Sequence, residues 1–319
     1  MLTSIISLVS GFLLLIWSAD AFTNNGVKIA KIFNISPLII GVIILGFGTS
    51  APEMVISGLA AFEGYPKMGI GNALGSNIIN IALVLGITAI ILPIKINLGV
   101  VKKREWGYLI TVTLISGLLL LDRELDNIDS FVLLTLLAFF LFYTLKKTKK
   151  DHHEFDNLIT EIDTQQKGTT WFKLIVSLLF LLGSAQLIVF GGSTLATEFG
   201  ISDLVVGLTI VALGTSLPEL AVSISSALKN QTEMVVGNII GSNLFNTICV
   251  LAIPSLIISP IQVPKDLIIR DYLVMLILTI LLVVFTLTYK SKKERVIGRL
   301  KGGVFISIFC IYYFFLFCS

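Results

Sequence analysis

The chain contains few charged residues and almost no histidine. Only 13% of its 319 residues are Asp, Glu, Lys or Arg, whereas soluble domains carry about 25%. Hydrophobic residues make up 55% of the chain, and both histidines, His152 and His153, lie outside every long apolar run. A soluble globular fold is therefore excluded, and the composition predicts a protein that crosses a membrane several times.

Cysteine is also scarce. The three cysteines, Cys249, Cys310 and Cys318, lie in or at the end of apolar runs, so we interpret them as small hydrophobic residues rather than as a disulfide framework. No histidine lies in an apolar run to activate a thiol. We therefore expect neither an enzyme nor a cofactor.

Ten apolar runs approach the length of about 20 residues that a membrane-spanning helix needs. They lie near residues 4–22, 36–62, 69–93, 105–121, 130–146, 171–191, 203–228, 234–259, 267–289 and 301–318. The first run has no positive charge before it and extends to Phe22, which favours a retained helix over a cleaved signal peptide. The predicted fold class is an all-α polytopic membrane protein with ten transmembrane helices.

Positive charge is distributed unevenly between the connecting loops. With the N-terminus outside, the inner connections hold 19 of the 23 Lys and Arg residues and the outer ones hold 4. Because Lys and Arg accumulate in cytoplasmic loops, we predict that both termini lie outside and that the polar segment 147–170 is a cytoplasmic linker. An acidic outer loop, at Asp122, Glu124, Asp126 and Asp129, either gathers cations or is simply solvated.

The sequence repeats internally at a fixed offset of 166 residues. Between 36–91 and 202–257, 22 of 56 positions are identical without a gap, and we predict five-helix repeats over 1–146 and 171–319. Because five spans is an odd number, the second repeat enters the membrane from the opposite side. Inverted repeats are typical of secondary transporters whose site lies at the midplane between the repeats.

The hexapeptides GTSAPE, at 48–53, and GTSLPE, at 214–219, place Glu53 and Glu219 inside apolar runs. An ionised glutamate near the bilayer centre costs at least about 2.5 kcal/mol. No Lys or Arg lies within the motif-bearing helices except at their ends, so an internal salt bridge is not expected. The remaining explanations are a bound cation and protonation.

The residues beside each glutamate favour a cation. Two hydroxyls and a carboxylate fall at i, i+1 and i+4, on one helical turn. The two sets are Thr49, Ser50 and Glu53, and Thr215, Ser216 and Glu219. Pro52 and Pro218 lack an N–H group, so carbonyls over 46–49 and 212–215 are expected to become available as ligands.

A polar stripe follows each hexapeptide on the next helix. Its members, spaced i, i+4 and i+8, are Asn72, Ser76 and Asn80, and in the second half Asn238, Ser242 and Asn246. Glycines at 71, 75, 237 and 241 let the helices approach closely. Hydrogen bonding between helices is the simpler explanation for single Ser or Asn residues, but it does not explain the costlier glutamates.

All these candidate ligands are oxygen atoms. Such a set suits hard cations such as Ca²⁺ or Na⁺ rather than Zn²⁺. Ca²⁺ takes six to eight oxygens, and two bidentate glutamates with the Thr49 and Thr215 carbonyls would supply six. A channel is less well supported, because channels build rings of ligands, usually from an oligomer.

The motifs GTSAPE…GNALGSNIIN and GTSLPE…GNIIGSNLFN resemble the paired alpha-repeats of the sodium/calcium exchanger family, in the cation/calcium antiporter superfamily. The resemblance implies exchange of Na⁺ for Ca²⁺ by alternating access, with the first helix of each half sliding as a gate. It also implies that Glu53 and Glu219 are the central carboxylates and that the Thr49 and Thr215 carbonyls bind Ca²⁺. Four serines would help form Na⁺ subsites: Ser50, Ser76, Ser216 and Ser242.

One position departs from the family pattern. Several of these exchangers carry an Asp where this chain has Asn246, and Asn80 is an amide as well. The site thus has two acidic residues rather than three, which leaves stoichiometry, pH dependence and K⁺ co-transport open. Proton-coupled Ca²⁺ exchange, with Glu53 or Glu219 binding protons, is the alternative function.

The linker 147–170 is too short for the calcium-sensing domains of animal exchangers. This difference favours a compact prokaryotic type in the inner (cell) membrane. We expect a monomer in the lipid bilayer that binds Na⁺ and Ca²⁺ and has no nucleic-acid partner.

Overall fold

The computed structural model describes residues 1–97, 103–148, 167–200, 210, 212–287 and 294–318, and these residues are mostly helical. We number ten helices along the chain. They are α1 Leu2–Ile32, α2 Pro37–Phe62, α3 Pro66–Ile91, α4 Lys103–Leu119, α5 Asn127–Thr148, α6 Lys167–Glu198, α7 Ala212–Thr215 with Leu217–Leu228, α8 Thr232–Ile257, α9 Leu267–Leu287 and α10 Arg299–Cys318.

Eight of these helices are long and apolar enough to cross a membrane: α1, α2, α3, α5, α6, α8, α9 and α10. The other two predicted spans correspond to α4, with 17 residues, and to α7, whose preceding segment lies outside the described residues. The predicted all-α polytopic class is confirmed. It follows from the need to satisfy every backbone polar group within the membrane, which helices do internally.

The first helix of each half is longer than its predicted span. The helix α1 has 31 residues and α6 has 32, whereas the apolar runs predicted spans over 4–22 and 171–191. A helix of 31 residues is about 47 Å long, which exceeds the hydrocarbon thickness of about 30 Å. Lys28 and Lys31, expected in a loop, therefore lie in the last turns of α1.

The helices α1 and α6 pack against each other along their length and run antiparallel. Trp17 contacts Phe180 with ring centroids 5.6 Å apart, and Phe33 contacts Trp171 at 6.1 Å. At the other end of α1, Gly11 lies against Ile188. Residue numbers rise along α1 as they fall along α6, so these equivalent helices cross in opposite directions, as the inverted repeat predicts.

Two short antiparallel sheets, which the sequence did not predict, join the halves at their ends. We label the strands β1 Ile94–Asn97, β2 Glu124–Leu125, β3 Ile261–Gln262 and β4 Glu294–Ile297. Strand β1 pairs with β4, and β2 pairs with β3. Strands β1 and β3 each follow the third helix of their half, and β2 and β4 each follow the fourth. Each sheet therefore joins the first strand of one half to the second strand of the other.

The acidic loop before α5 has a structural role. The N–H of Asp129 donates to Asp126 Oδ1 at 2.9 Å, and the N–H of Asp126 donates to Asp129 Oδ2 at 3.0 Å. These reciprocal bonds satisfy backbone donors at the start of α5, in the manner of a capping box. Capping of α5 therefore accounts for these two carboxylates, a role that neither interpretation of the loop had predicted.

Most of the predicted linker lies outside the described residues, including His152 and His153. Its described ends, 147–148 and 167–170, continue α5 and α6. The linker's position relative to the membrane, and the repeat boundaries 1–146 and 171–319, therefore stay predictions.

The helix α8 lies at the centre of the bundle, buried along nearly its whole length. It contacts the first half of α2 through facing glycines, Gly41 with Gly237 and Gly46 with Gly241. A Cβ atom on Gly241 would lie 2.3 Å from the carbonyl oxygen of Val42, so the two backbones touch directly. This contact brings the polar stripe of the second half against the hexapeptide of the first.

Candidate cation site

Both glutamate hexapeptides interrupt their helices at the same point. Helix α2 breaks at Ser50, where φ is −83° and ψ is 2°, and α7 breaks at Ser216, where φ is −91° and ψ is 4°. A new helical segment starts one residue later with proline in its first turn, where proline's missing N–H costs nothing. Each helix is thus distorted in the turn before its proline, Pro52 or Pro218, because the proline ring does not fit a regular helical interior.

The polar stripes on α3 and α8 also end in irregular helix. The backbone changes to π-helical geometry over Asn80–Leu85 in α3 and over Asn246–Val250 in α8. π-helical turns inside α-helices occur frequently at functional sites. Asn80 and Asn246, the last residues of the stripes, therefore lie at the junction of two helix types rather than within a regular helix.

Glu53 and Glu219 are completely buried, each with 0% exposure. Neither carboxylate oxygen of Glu53 has a hydrogen-bond partner in the described structure, and neither does Glu219 Oε2. Glu219 Oε1 accepts a 3.4 Å bond from the Ser50 hydroxyl. Two carboxylates are thus held in a membrane protein with almost none of the hydrogen bonds that would stabilise their charge.

Asn72 and Asn238 make matching bonds in the two halves. The amide nitrogen of Asn72 donates to the carbonyl oxygen of Glu53 at 3.1 Å and to the Ser57 hydroxyl at 3.0 Å. Asn238 donates to the carbonyl of Glu219 at 3.3 Å and to the Ser223 hydroxyl at 3.0 Å. Hydrogen bonding between helices therefore accounts for these two amide nitrogens, which tie each glutamate segment to the next helix.

Side chains of the first half contact those of the second directly. The hydroxyl of Thr49 lies 3.4 Å from Asn238 Oδ1 and 3.4 Å from the Ser242 hydroxyl. Together with the Ser50–Glu219 bond, these contacts bring the first hexapeptide onto the second half's stripe and carboxylate. Ser76 stays within its own half, 3.5 Å from Asn72 Oδ1.

Several buried oxygen atoms of the site have no hydrogen-bond partner among the described residues. They are Oε1 and Oε2 of Glu53, Oε2 of Glu219, Oδ1 of Asn80, Oδ1 of Asn246 and Oγ of Ser216. All are hard ligands of the kind that Ca²⁺ and Na⁺ prefer. Within the described residues, no group of three or more His, Cys, Asp or Glu side chains is close enough to hold a metal ion. Any cation site here thus relies on two carboxylates and neutral oxygens.

The carbonyls before each break are only partly free. The N–H of Ser50 donates to the Gly46 carbonyl at 3.2 Å, and the N–H of Ser216 donates to the Leu213 carbonyl at 3.2 Å. Because these carbonyls, of Gly46 and Leu213, accept bonds from backbone N–H groups at the break, they are not released as ligands in the way that the sequence predicted. The carbonyls of Thr49 and Thr215 stay predicted ligands. Thr215 itself is buried beside Ser216.

A cavity of about 340 Å³ reaches the site from the end of the molecule that carries β3 and the C-terminus. Its lining from the motifs includes Gly71, Asn72, Gly75, Ser76 and Thr215. Residues of α9 and α10 also line it: Leu267, Arg270, Asp271, Tyr312, Tyr313 and Leu316.

Arg270, Asp271 and Tyr312 were not among the predicted site residues. The predicted span over 267–289 already included Arg270 and Asp271, and the structure places both near the start of α9. The sequence did contain a signal for them, namely an adjacent Arg and Asp at the start of an apolar run, because charged residues in membrane helices often mark an ion pathway. The sequence did not show which helix these charged residues contact.

Comparison with known proteins identifies the family. A family model described as sodium/calcium exchanger protein matches residues 3–146 and 169–318. The putative antiporter CaxA of Alkalimonas amylolytica is 41% identical over 327 aligned positions, which cover 100% of both chains. The sodium/calcium exchanger MaX1 of Methanosarcina acetivorans is 28% identical, over 88% of this chain and 90% of its own.

A solved structure supports the same relationship. The sodium-calcium exchanger NCX_Mj, soaked with Na⁺ and Ca²⁺, superposes with a TM-score of 0.83 and 32% identity, covering 97% of this chain and 96% of that one. The fold is thereby matched along almost the full length of both chains. The chain belongs to the sodium/calcium exchanger family, and it is a membrane cation antiporter rather than an enzyme.

Proposed function

We propose that this protein exchanges Na⁺ for Ca²⁺ by alternating access, with both ions binding between the halves at Glu53 and Glu219. One observation carries the proposal: three carboxylate oxygens are buried without a hydrogen-bond partner in the described structure. An ionised carboxylate in such surroundings needs a countercharge. Neither glutamate forms a salt bridge among the described residues, and a bound cation would supply that charge.

Neutral oxygens around the carboxylates favour metal cations. Ca²⁺ requires six to eight oxygen ligands. Hydroxyl and amide oxygens of the two halves contact one another, and the Ser50 hydroxyl bonds to Glu219. Two carboxylates neutralise one Ca²⁺. Na⁺ ions that used the same oxygens would compete with Ca²⁺, and such competition is what couples the two fluxes.

Each predicted residue has a role in this proposal. Glu53 and Glu219 provide the charge, and Asn72 and Asn238 hold them in position. The carbonyls of Thr49 and Thr215 complete the Ca²⁺ ligands. The proposed Na⁺ ligands are Ser50, Ser76, Ser216 and Ser242, and Asn80 and Asn246 offer buried amide oxygens as further neutral ligands.

Access to the site is proposed to alternate between the two ends of the molecule. At one end the cavity reaches Asn72 and Ser76, whereas near the other end the backbones of Gly41 and Gly237 touch. The charge count assigns the cavity to the outer side, with both termini outside and the 147–170 linker in the cytoplasm of a prokaryotic cell. Sliding of α1 and α6, which pack on each other, would exchange the open and closed ends.

Proton-coupled Ca²⁺ exchange is the second candidate. The same unpaired carboxylates favour it, because a proton neutralises a buried glutamate without any coordination shell. The relative named CaxA is described only as a putative antiporter, which specifies no coupling ion. The hydroxyls of Ser50 and Ser216 beside the carboxylates favour Na⁺, since a proton has no need of them.

Ca²⁺ uptake into liposomes separates the two functions. Proteoliposomes loaded with Na⁺ are diluted into Na⁺-free medium with ⁴⁵Ca²⁺, and the uptake is compared with that driven by a pH gradient alone. The membrane potential is clamped with K⁺ and valinomycin in both cases. We expect uptake with the Na⁺ gradient, and its persistence with a protonophore. Uptake that requires only the pH gradient would overturn the Na⁺ proposal.

Variants test the site in the same assay. Glu53→Gln and Glu219→Gln should each reduce uptake by at least about 100-fold, because each removes half of the countercharge for Ca²⁺. Glu63→Gln, an exposed glutamate at the end of α2, is the matched control and should transport normally. Near-normal exchange by either buried variant would show that the ions bind elsewhere.

A further inference from the structure

We propose that the ion pair of Arg270 and Asp271 keeps the access cavity electrically neutral and thereby fixes the ratio of divalent to monovalent cation affinity. The proposal rests on the proposed function only in taking the cavity as the cation route to Glu53 and Glu219. Both charged residues line this cavity with Asn72. Neither belongs to the motifs that provide the candidate ion ligands.

The geometry of the pair fixes both charges. Arg270 donates from Nε to Asp271 Oδ1 at 2.8 Å and from Nη2 to Oδ2 at 3.1 Å. Tyr312, from α10, donates its hydroxyl to the same Oδ1 at 2.8 Å. Such two-pronged contacts between guanidinium and carboxylate are geometrically specific. The carboxylate is therefore held by three donors, one of them from a neighbouring helix.

The two members of the pair differ in exposure. The Asp271 side chain is 5% exposed and that of Arg270 is 33% exposed. Among the described residues that line the cavity, they alone carry a formal charge. A cation passing to the buried carboxylates thus meets one guanidinium, whose charge is cancelled by one buried carboxylate.

Charge balance at this point distinguishes ions by their valence. The interaction of an ion with a fixed charge is proportional to the ion's own charge, and the apolar walls of a cleft weaken solvent screening of that interaction. An uncompensated charge at the cavity would therefore change both binding constants, and the factor for Ca²⁺ would be the square of the factor for Na⁺. The intact pair, with a net charge of zero, keeps both ions close to their intrinsic affinities.

A purely structural role is the competing explanation. The pair and Tyr312 connect α9 to α10, so any substitution could weaken binding by loosening the cavity. That explanation predicts losses for every variant, of similar size for both ions. The electrostatic proposal predicts opposite signs for the two single variants and restoration in the double variant.

The test uses the purified full-length protein with Arg270→Gln, Asp271→Asn and the double variant. ⁴⁵Ca²⁺ binding is measured by equilibrium dialysis without Na⁺, and Na⁺ binding by the rise in unfolding temperature without Ca²⁺, at constant ionic strength. Asp271→Asn should weaken Ca²⁺ binding about 10-fold and Na⁺ binding about 3-fold, and Arg270→Gln should strengthen them by similar factors. The double variant should lie within about 2-fold of the wild type.

Tyr312→Phe is the matched control, because it removes one hydrogen bond to Asp271 without changing charge. We expect its ratio of Ca²⁺ to Na⁺ affinity to equal that of the wild type within about 2-fold. Equal shifts for the two ions, or a double variant no better than Asp271→Asn, would overturn the proposal. If Asp271→Asn does not fold, the opposite sign expected for Arg270→Gln decides the question.

Binding without gradients separates this inference from the proposed function. A wild type that binds both cations but does not exchange them would overturn Na⁺/Ca²⁺ exchange, and the variant titrations would still judge the ion pair. A wild type that exchanges the cations, with an unchanged affinity ratio in both single variants, would overturn the ion-pair proposal alone. Absence of any cation binding by the wild type would overturn both.

Discussion

Ser50 and Glu219 join the two halves of the protein through a 3.4 Å hydrogen bond from the serine hydroxyl to a carboxylate oxygen. The repeat-related pair lacks this bond, because the Ser216 hydroxyl and both Glu53 oxygens are without a partner in the described structure. Two sequences that are nearly the same thus have different surroundings. Such asymmetry is expected of inverted repeats caught at one end of an alternating cycle.

This asymmetry predicts different effects for two equivalent serine variants. Without cations, Ser50→Ala should lower the free energy of unfolding by about 1 kcal/mol, because the Glu219 carboxylate loses a buried donor. Ser216→Ala should change it by less than about 0.5 kcal/mol, since that hydroxyl makes no bond to lose. Chemical unfolding of both variants in detergent measures the difference. Equal losses would show that the two halves share one environment.

Cation binding should stabilise the protein through the two glutamates. At a Ca²⁺ concentration of about 100 times its dissociation constant, the wild type should gain about 2.7 kcal/mol. Glu53→Gln and Glu219→Gln should lose this gain, yet unfold at a higher temperature than the wild type when no cation is present, because a buried carboxyl must either carry an unpaired charge or bind a proton, and glutamine needs neither. Scanning fluorimetry with and without Ca²⁺ measures both effects.

The control for that experiment is Glu63→Gln, whose side chain is exposed and which should behave as the wild type does. A glutamine variant that still gains stability from Ca²⁺ would remove that glutamate from the site.

Adding a third carboxylate should change how binding depends on pH. Asn246 is fully buried and neither atom of its amide group has a partner within the described residues. In Asn246→Asp the new carboxylate should hold a proton until a cation displaces it, so Ca²⁺ affinity should fall more steeply as the pH falls. Titrations of ⁴⁵Ca²⁺ binding between pH 6 and 8 measure the slope. Asn230→Asp, at an exposed position, is the control, and a profile like the wild type's would place Asn246 outside the site.

The contact between α2 and α8 should tolerate no added methyl group. A Cβ at Gly241 would lie 2.3 Å from the Val42 carbonyl oxygen, whereas at Gly26 the nearest atom, at 3.1 Å, is the end of the Met234 side chain. At Gly303 no described atom lies within 4 Å. We expect Gly241→Ala to lower the unfolding temperature most, Gly26→Ala slightly, and Gly303→Ala not at all, because only backbone atoms cannot move aside.

That order is measured by thermal unfolding of the three purified variants, with the yield of monodisperse protein as a second readout. If Gly241→Ala were as stable as Gly303→Ala, the direct backbone contact between α2 and α8 would be wrong.

Much of the site was predictable because its chemistry is costly in a membrane. Glu53 and Glu219 stand out in an apolar chain, and their repetition at an offset of 166 residues identifies them as a pair. Their burial is as predicted. For Asn72 and Asn238 the sequence predicted two alternatives, because a buried amide serves equally as an ion ligand or as a hydrogen-bonded link between helices.

The sequence by itself determined the membrane class, the paired hexapeptides and the opposite direction of equivalent helices in the two halves. Composition, periodicity and repetition along the chain carry all three. Tertiary structure alone decided that β1 pairs with β4, that Ser50 reaches Glu219 while Ser216 bonds to neither glutamate, and that Arg270 and Asp271 face the cavity. These features depend on which distant segments meet, and apolar helices in a bilayer carry little sequence information about their neighbours, because lipid and helix surfaces are alike in polarity.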